Sequence, residues 1–171
     1  MRTIITSLLL LIGIVAASAQ HQGQHHTPYA GHQQRGVKAL SDQQIADLRA
    51  GRGMGLALAA ELNGYPGPLH VLELADQLRL SGDQRQQVQR LFDSMKAEAS
   101  SVGTSLIDQE TALDRAFATN HISEAALSQL TLEIGETQGR LRAVHLKYHL
   151  TTRALLSPAQ RERYASLRGY R

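Results

Sequence analysis

The sequence predicts an all-α fold with short N-terminal helices, a long antiparallel helical hairpin and a short C-terminal helix. Three observations support this prediction. Apolar residues recur at three-, four- and seven-residue steps over two long segments, as they do on one face of a helix. No stretch alternates long enough between polar and apolar residues to indicate a strand. Three serine-to-glutamine pairs have the spacing of a helix capping box, and they begin at Ser41, Ser81 and Ser157.

The first 19 residues have the pattern of an export signal. Arg2 supplies the positive charge, an apolar stretch follows over residues 4–17, and small residues at 17–19 form a cleavage site. The apolar stretch is shorter than the roughly 20 residues that a membrane-spanning helix needs. We therefore expect cleavage after Ala19 and no membrane span in the remaining chain.

Residues 20–39 are expected to form a disordered arm rich in His and Gln, and residues 40–171 to form one helical domain. The absence of cysteine excludes a disulfide framework, a thiolate metal site and a lipid anchor on cysteine. The formal net charge is +3, and the lysines and arginines are scattered among acidic residues. We therefore expect no nucleic-acid partner.

Three short helices are predicted first, over residues 41–50, 54–62 and 69–78. Glycines near residue 51 end the first helix, and a turn with Pro and Gly over residues 63–68 ends the second. Glycine in this region does not indicate a phosphate-binding loop, because the Lys-Ser/Thr ending of that motif is missing.

Two long helices follow, beginning at Ser81 and Ser123. Their short connection around residues 120–122 predicts an antiparallel hairpin, and Ser157 begins the C-terminal helix. Gly135 and Gly139 lie inside the second long helix, where each costs about 1 kcal/mol relative to alanine. We expect another helix backbone to approach closely at these glycines.

His145 and His149 are the candidate metal ligands. Positions four apart share one helix face, so both imidazoles could reach one ion. A further ligand would come from Glu61, from His70, from a histidine of the arm or from a second subunit. The alternative is that His145 packs beside the apolar stripe as a core residue while His149 is solvated.

The sequence does not indicate an enzyme. Leu146 occupies the position where a zinc protease carries glutamate after its first histidine. No nucleophile elbow, nucleotide-binding loop or recognisable carboxylate pair occurs. The histidines of the arm could collect Zn²⁺, Cu²⁺ or Ni²⁺, or they could belong to a soluble polar tail; they are His21, His25, His26 and His32.

Leu146 and Leu150 lie off the apolar stripe of their helix, so this end is apolar over much of its circumference. A helix of this kind buries its second face against a partner. We expect the two leucines to form part of a dimer interface or of a surface that binds client proteins.

Two Leu-Ser-x-x-Gln boxes resemble the Leu-Thr-x-x-Gln motif of the Spy/CpxP family of periplasmic proteins. One box precedes the long hairpin and the other follows it. The segments 53–68 and 154–170 are also similar to relatives described as heavy-metal sensor or resistance proteins, so the resemblance covers roughly residues 40–170. The motif residues are Leu80, Ser81, Gln84, Leu156, Ser157 and Gln160.

The resemblance implies a cradle-like helical homodimer in the periplasm of a Gram-negative bacterium. It implies an ATP-independent chaperone or envelope-stress adaptor that binds unfolded or misfolded envelope proteins and requires no cofactor. The alternative that it implies is a heavy-metal sensor or resistance protein, which would bind Zn, Ni, Co or Cu ions through histidines and report to a sensor partner. His145 and His149 fall in the hairpin region where such sensors carry their ligands.

Overall fold

The computed structural model describes residues 28–170, and the predicted export signal and the first residues of the predicted arm lie outside them. Residues 31–170 belong to one compact unit that contains helices and, over the described range, no strand. The all-α prediction is confirmed. A 3-10 helix, His32–Gln34, precedes six α-helices: α1 (Asp42–Arg49), α2 (Leu58–Glu61), α3 (Pro68–Glu73), α4 (Gly82–Ala118), α5 (Glu124–Leu155) and α6 (Pro158–Leu167).

Helices α4 and α5 form the predicted hairpin, with 37 and 32 residues. Asn120, with φ 54°, lies in the turn between them. Near this turn the predicted apolar stripe is not buried, because Phe117 and Leu127 are exposed. Farther from the turn the hairpin buries the main core together with residues that precede α4; its members include Val37, Leu48, Met95, Ala99, Leu106, Leu141, Val144 and Tyr148.

The short helices are shorter than predicted. The helix expected over residues 54–62 is reduced to the single turn of α2, because Met54 and Gly55 have φ angles of 43° and 78°. Left-handed backbone at two successive residues interrupts an α-helix. The helix expected over residues 69–78 ends at Glu73.

A close helix approach occurs at Gly103 of α4 and not at the glycines predicted from sequence. A Cβ atom at Gly103 would lie 2.5 Å from the carbonyl oxygen of Leu48, which belongs to α1. Built Cβ atoms at Gly135 and Gly139 meet nothing within 4 Å in the described part of the chain. Glycine is therefore required where α1 crosses α4.

The two sequence boxes are capping boxes that also bind each other. Ser81 caps α4 with Gln84, and Ser157 caps α6 with Gln160. Each glutamine amide nitrogen donates to the amide oxygen of the other glutamine, at 3.0 Å in both directions. The amide of Gln84 also donates to the carbonyl oxygen of Leu155, at 2.8 Å. This pairing fastens the start of α6 to the start of α4.

The segment that precedes α1 already packs against the helical hairpin. Val37 is buried in the main core, and Lys38 Nζ lies 2.9 Å from Asp114 Oδ2 on α4. Both residues belong to the segment predicted as an arm. Among residues 28–170, no helix has the combination of length and apolar sequence needed to cross a membrane.

We predict that Gln84→Ala and Gln160→Ala each lower the free energy of unfolding by about 1–2 kcal/mol, because each removes half of a capping box and a half-buried amide contact. The double variant should lose less than the sum of the two, since the second substitution removes a bond that is already broken. Urea titrations would measure this coupling. Gln44→Ala, in the capping box of α1, is the control and should add to Gln84→Ala without coupling. Full additivity between Gln84 and Gln160 would contradict the pairing.

Candidate metal pocket

The two candidate histidines of α5 line one cavity of about 280 Å³, which we call the His145–His149 cavity. His145 is 2% exposed and His149 is 7% exposed. The interpretation in which His149 is solvated is therefore wrong. The loop before α2, the start of α3 and one turn of α4 complete the wall, with side chains that include Met54, Leu58, His70 and Met95.

His149 is held in one orientation by the turn that follows α2. Its Nδ1 atom lies 2.7 Å from the carbonyl oxygen of Tyr65. A carbonyl oxygen only accepts, so Nδ1 carries the hydrogen and the neutral ring keeps a lone pair at Nε2. Metal-binding histidines are commonly oriented by such a carbonyl contact at the second nitrogen. The orientation of His149 therefore suits metal binding through Nε2.

Gly67 leaves the room that the His149 ring occupies. A Cβ atom at this position would lie 2.8 Å from Cε1 and 2.9 Å from Nε2 of His149. Carbon atoms do not approach a ring this closely, so any side chain here would displace the imidazole. The glycine in the predicted turn is thus part of the cavity and positions His149.

His145 lies one helical turn before His149 and has an unsatisfied nitrogen. Its buried Nε2 atom has no hydrogen-bond partner among the described residues. Burial lowers the pKa of His145, and the neighbouring His149 imidazole lowers it further. His145 is therefore neutral at pH 7. A bound ion would satisfy its unpartnered nitrogen.

Glu61, at the end of α2, also lines the cavity and is 4% exposed. Its carboxylate accepts hydrogen bonds from the Gly67 N–H at 3.0 Å, from the Tyr170 hydroxyl at 3.2 Å and from the Tyr164 hydroxyl. His70 Nδ1 lies 3.3 Å from Oε1. We call these residues the Glu61 cluster: Glu61, Gly67, His70, Tyr164 and Tyr170.

The Glu61 cluster keeps its carboxylate ionised. Burial on its own raises the pKa of Glu61, but contacts from the side chains of His70 and Tyr164 and from the Gly67 N–H outweigh this effect. The result is a pKa of about 2. Burial and the same contact to Glu61 raise the pKa of Tyr164 above its usual range. The negative charge lies close to His149, whose Nδ1 is 3.6 Å from Glu61 Oε2.

Residues 55–163 match the family model described as heavy-metal resistance. The matched segment contains both Leu-Ser-x-x-Gln boxes, Glu61 and the two cavity histidines. The chain belongs to the heavy-metal resistance family. No curated protein and no solved structure matches the chain. The narrower assignment to the Spy/CpxP proteins stays a prediction.

The described part of this heavy-metal resistance protein contains no group of three His, Cys, Asp or Glu side chains placed to hold a metal ion. The structure brings His145 and His149 together and places Glu61 and His70 near them, as candidate further ligands. However, the Glu61 oxygens are occupied by the Glu61 cluster. His70 lines the cavity as well, but it does not form a metal-binding group of three with His145 and His149.

Sequence reasoning missed both methionines of the cavity. A methionine at helical spacing is more often a core residue than a ligand, and Met95 does belong to the main core. The sequence does indicate that these residues are unusual, because the chain has three methionines and no cysteine. Of the two predicted surface leucines, Leu146 is half-buried and Leu150 is 60% exposed.

We predict that Glu61→Gln destabilises the protein at pH 7 by up to about 3 kcal/mol, because the folded state lowers the carboxyl pKa from 4.5 to about 2. A carboxyl group whose pKa is lower in the folded state stabilises the fold at any pH above the pKa of the unfolded state. This contribution to the free energy of unfolding disappears as pH falls from about 4.5 to about 2. The difference between wild type and variant should therefore shrink over that window. Denaturant titrations at several pH values would measure it. Glu162→Gln on α6 is the exposed control, and an equal loss in both variants would contradict the account.

Proposed function

We propose that this heavy-metal resistance protein is exported and binds a transition-metal ion through His145 and His149. The observation that carries this proposal is the pair of buried, adjacent imidazoles that line one cavity. The Tyr65 carbonyl orients one ring, and the other ring has an unpartnered nitrogen. The family assignment supports a role in heavy-metal resistance.

Two imidazoles suit Zn²⁺, Ni²⁺, Co²⁺ and Cu ions, which all accept nitrogen ligands. A structural zinc site is closed by four protein ligands, whereas two histidines leave coordination positions open. An ion held in this way exchanges with its surroundings. This property suits a sensor or a buffer better than a permanent structural site.

We predict that the full chain binds one equivalent of Zn²⁺ or Cu²⁺ in the folded domain. His145→Ala and His149→Ala should each weaken this binding by at least about tenfold, because each removes one of two ligands. Isothermal titration calorimetry would measure the affinities. His121→Ala, at an exposed position in the hairpin turn, is the matched control and should bind like wild type.

A second set of variants separates the cavity from the arm. Replacing the arm histidines with alanine should leave the domain site intact; these are His21, His25, His26 and His32. Binding that is lost in the arm variant but unaffected by His145→Ala and His149→Ala would contradict the proposal and place the metal on the arm.

A chaperone or stress-adaptor function is the second proposal, and the exposure of Leu150 supports it. This leucine lies one turn after Leu146 on the end of α5 that the sequence shows to be apolar around much of its circumference. Exposed apolar side chains near a half-buried one form a surface that unfolded segments could contact. The same surface could join two copies of the chain.

We predict that Leu146→Ser with Leu150→Ser reduces protection of an aggregating client, such as thermally unfolded citrate synthase, while helicity is retained. The reason is the loss of apolar contact area for the client. Light scattering measures protection, and circular dichroism measures helicity. Leu132→Ser, at a 58% exposed position of the same helix, is the matched control. Unchanged protection in the double variant would remove these leucines from the client surface.

A further inference from the structure

We infer that the His145–His149 cavity is selective for a soft monovalent ion, Cu(I), which it holds with the thioether sulfurs of Met54 and Met95 in addition to the imidazoles. This inference rests on the proposed function, because the histidines supply half of the ligands. It assigns the donors that complete the site and the chemical class of its ion.

The distribution of sulfur in the chain is the first observation. The sequence contains three methionines and no cysteine, so it has three sulfur atoms. Two of them, in Met54 and Met95, belong to side chains that line the same cavity as His145 and His149. The third belongs to Met1. The chain therefore places both of its internal sulfur atoms at the cavity that His145 and His149 line.

The donor inventory is the second observation. Over residues 28–170, no third His, Cys, Asp or Glu completes a site with the two histidines. The nearest carboxylate, Glu61, already accepts three hydrogen bonds. His70 also lines the cavity, but it does not form a metal-binding group with the two histidines. The thioethers of Met54 and Met95 are the sulfur donors in the cavity wall, and thioether sulfur selects Cu(I) over harder divalent ions.

The charge of the surroundings is the third observation. A buried ion is costly unless charge near it compensates, and the cost rises steeply with the charge of the ion. The Glu61 carboxylate lies 3.6 Å from Nδ1 of His149, and it accepts hydrogen bonds from the Gly67 N–H and from the Tyr164 and Tyr170 hydroxyls, which favour its charged form. A single carboxylate beside the cavity compensates the charge of a monovalent ion more fully than the charge of a divalent ion.

The backbone at Met54 fits a ligand role. Met54 has φ 43°, which is uncommon for a residue with a side chain, and it stands between Gly53 and Gly55. Gly53 approaches His145, since a Cβ atom there would lie 3.9 Å from Nδ1. Non-glycine residues held in this region of backbone space cluster at binding sites. The loop thus brings the Met54 side chain to the cavity on the side of His145.

Competition with bicinchoninate under anaerobic conditions would test the inference on the full chain. Met54→Leu and Met95→Leu should each lower the Cu(I) affinity by at least about tenfold, since each removes one soft donor. Zn²⁺ affinity, measured on the same variants, should change by less than about twofold because the imidazoles remain. Leucine replaces methionine with little loss of packing, and circular dichroism would verify the fold.

Selenomethionine labelling provides a second measurement that does not depend on affinity. X-ray absorption at the copper edge should show selenium neighbours in the labelled protein loaded with Cu(I), and fewer in each leucine variant. Selenium neighbours that persist in the Met54→Leu/Met95→Leu double variant would assign the contact to Met1 and overturn the inference.

The outcomes separate this inference from the proposed function. Both ions could bind in a way that depends on His145 and His149 but not on Met54 and Met95. This result would overturn the thioether ligands and the selectivity for Cu(I), and it would leave the metal-binding proposal intact. If neither Cu(I) nor Zn²⁺ binds in a way that depends on His145 and His149, the proposed function is overturned.

Discussion

The ionised carboxylate of Glu61 is buried where three distant parts of the chain meet. It accepts hydrogen bonds from the turn after α2, from Tyr164 of α6 and from Tyr170 beyond it. A buried charge of this kind is stable only while its partners remain in place, because removal of one partner leaves desolvation uncompensated. The position of α6, the shape of the turn and the orientation of His149 therefore depend on one another.

The long hairpin provides the rigid part of the cavity, and the short segments provide the rest. His145 and His149 sit on the buried face of α5, where neighbouring turns and the main core restrict them. The turn after α2 supplies the Tyr65 carbonyl, and the loop before α2 supplies Met54. Binding groups on a rigid helix with supporting contacts from a second layer are held more accurately than groups on loops. If His149 binds a metal as proposed, the ion is linked through the Glu61 contacts to α6.

Local signals predicted the parts of the fold that local physics determines. Apolar periodicity and the capping boxes located α4, α5 and α6 because a helix start and its buried face are properties of a short segment. The segment over residues 54–62 has helical composition, yet left-handed backbone at Met54 breaks it. Close packing was predicted at Gly135 and found at Gly103, because which helix crosses which glycine depends on the tertiary arrangement.

Only the part of the candidate site that depends on local sequence could be predicted. The spacing of His145 and His149 places them on one helix face, but burial of His149 depends on a turn about 80 residues earlier in the chain. The ligand role inferred for Met54 and Met95 needs the cavity, since neither residue lies near the histidines in sequence. The hydrogen bonds between Gln84 and Gln160 likewise join two helix starts that are far apart in sequence, so a local pattern does not predict them.

Nitrogen-15 NMR of the histidine side chains tests most directly whether the turn prepares His149 for an ion. The account predicts that the neutral His149 ring of the metal-free protein has its hydrogen on Nδ1, and that the Nε2 resonance alone shifts strongly when one equivalent of Cu(I) or Zn²⁺ is added. Hydrogen on Nε2 in the metal-free protein, together with an Nε2 resonance that does not respond to either ion, would contradict it.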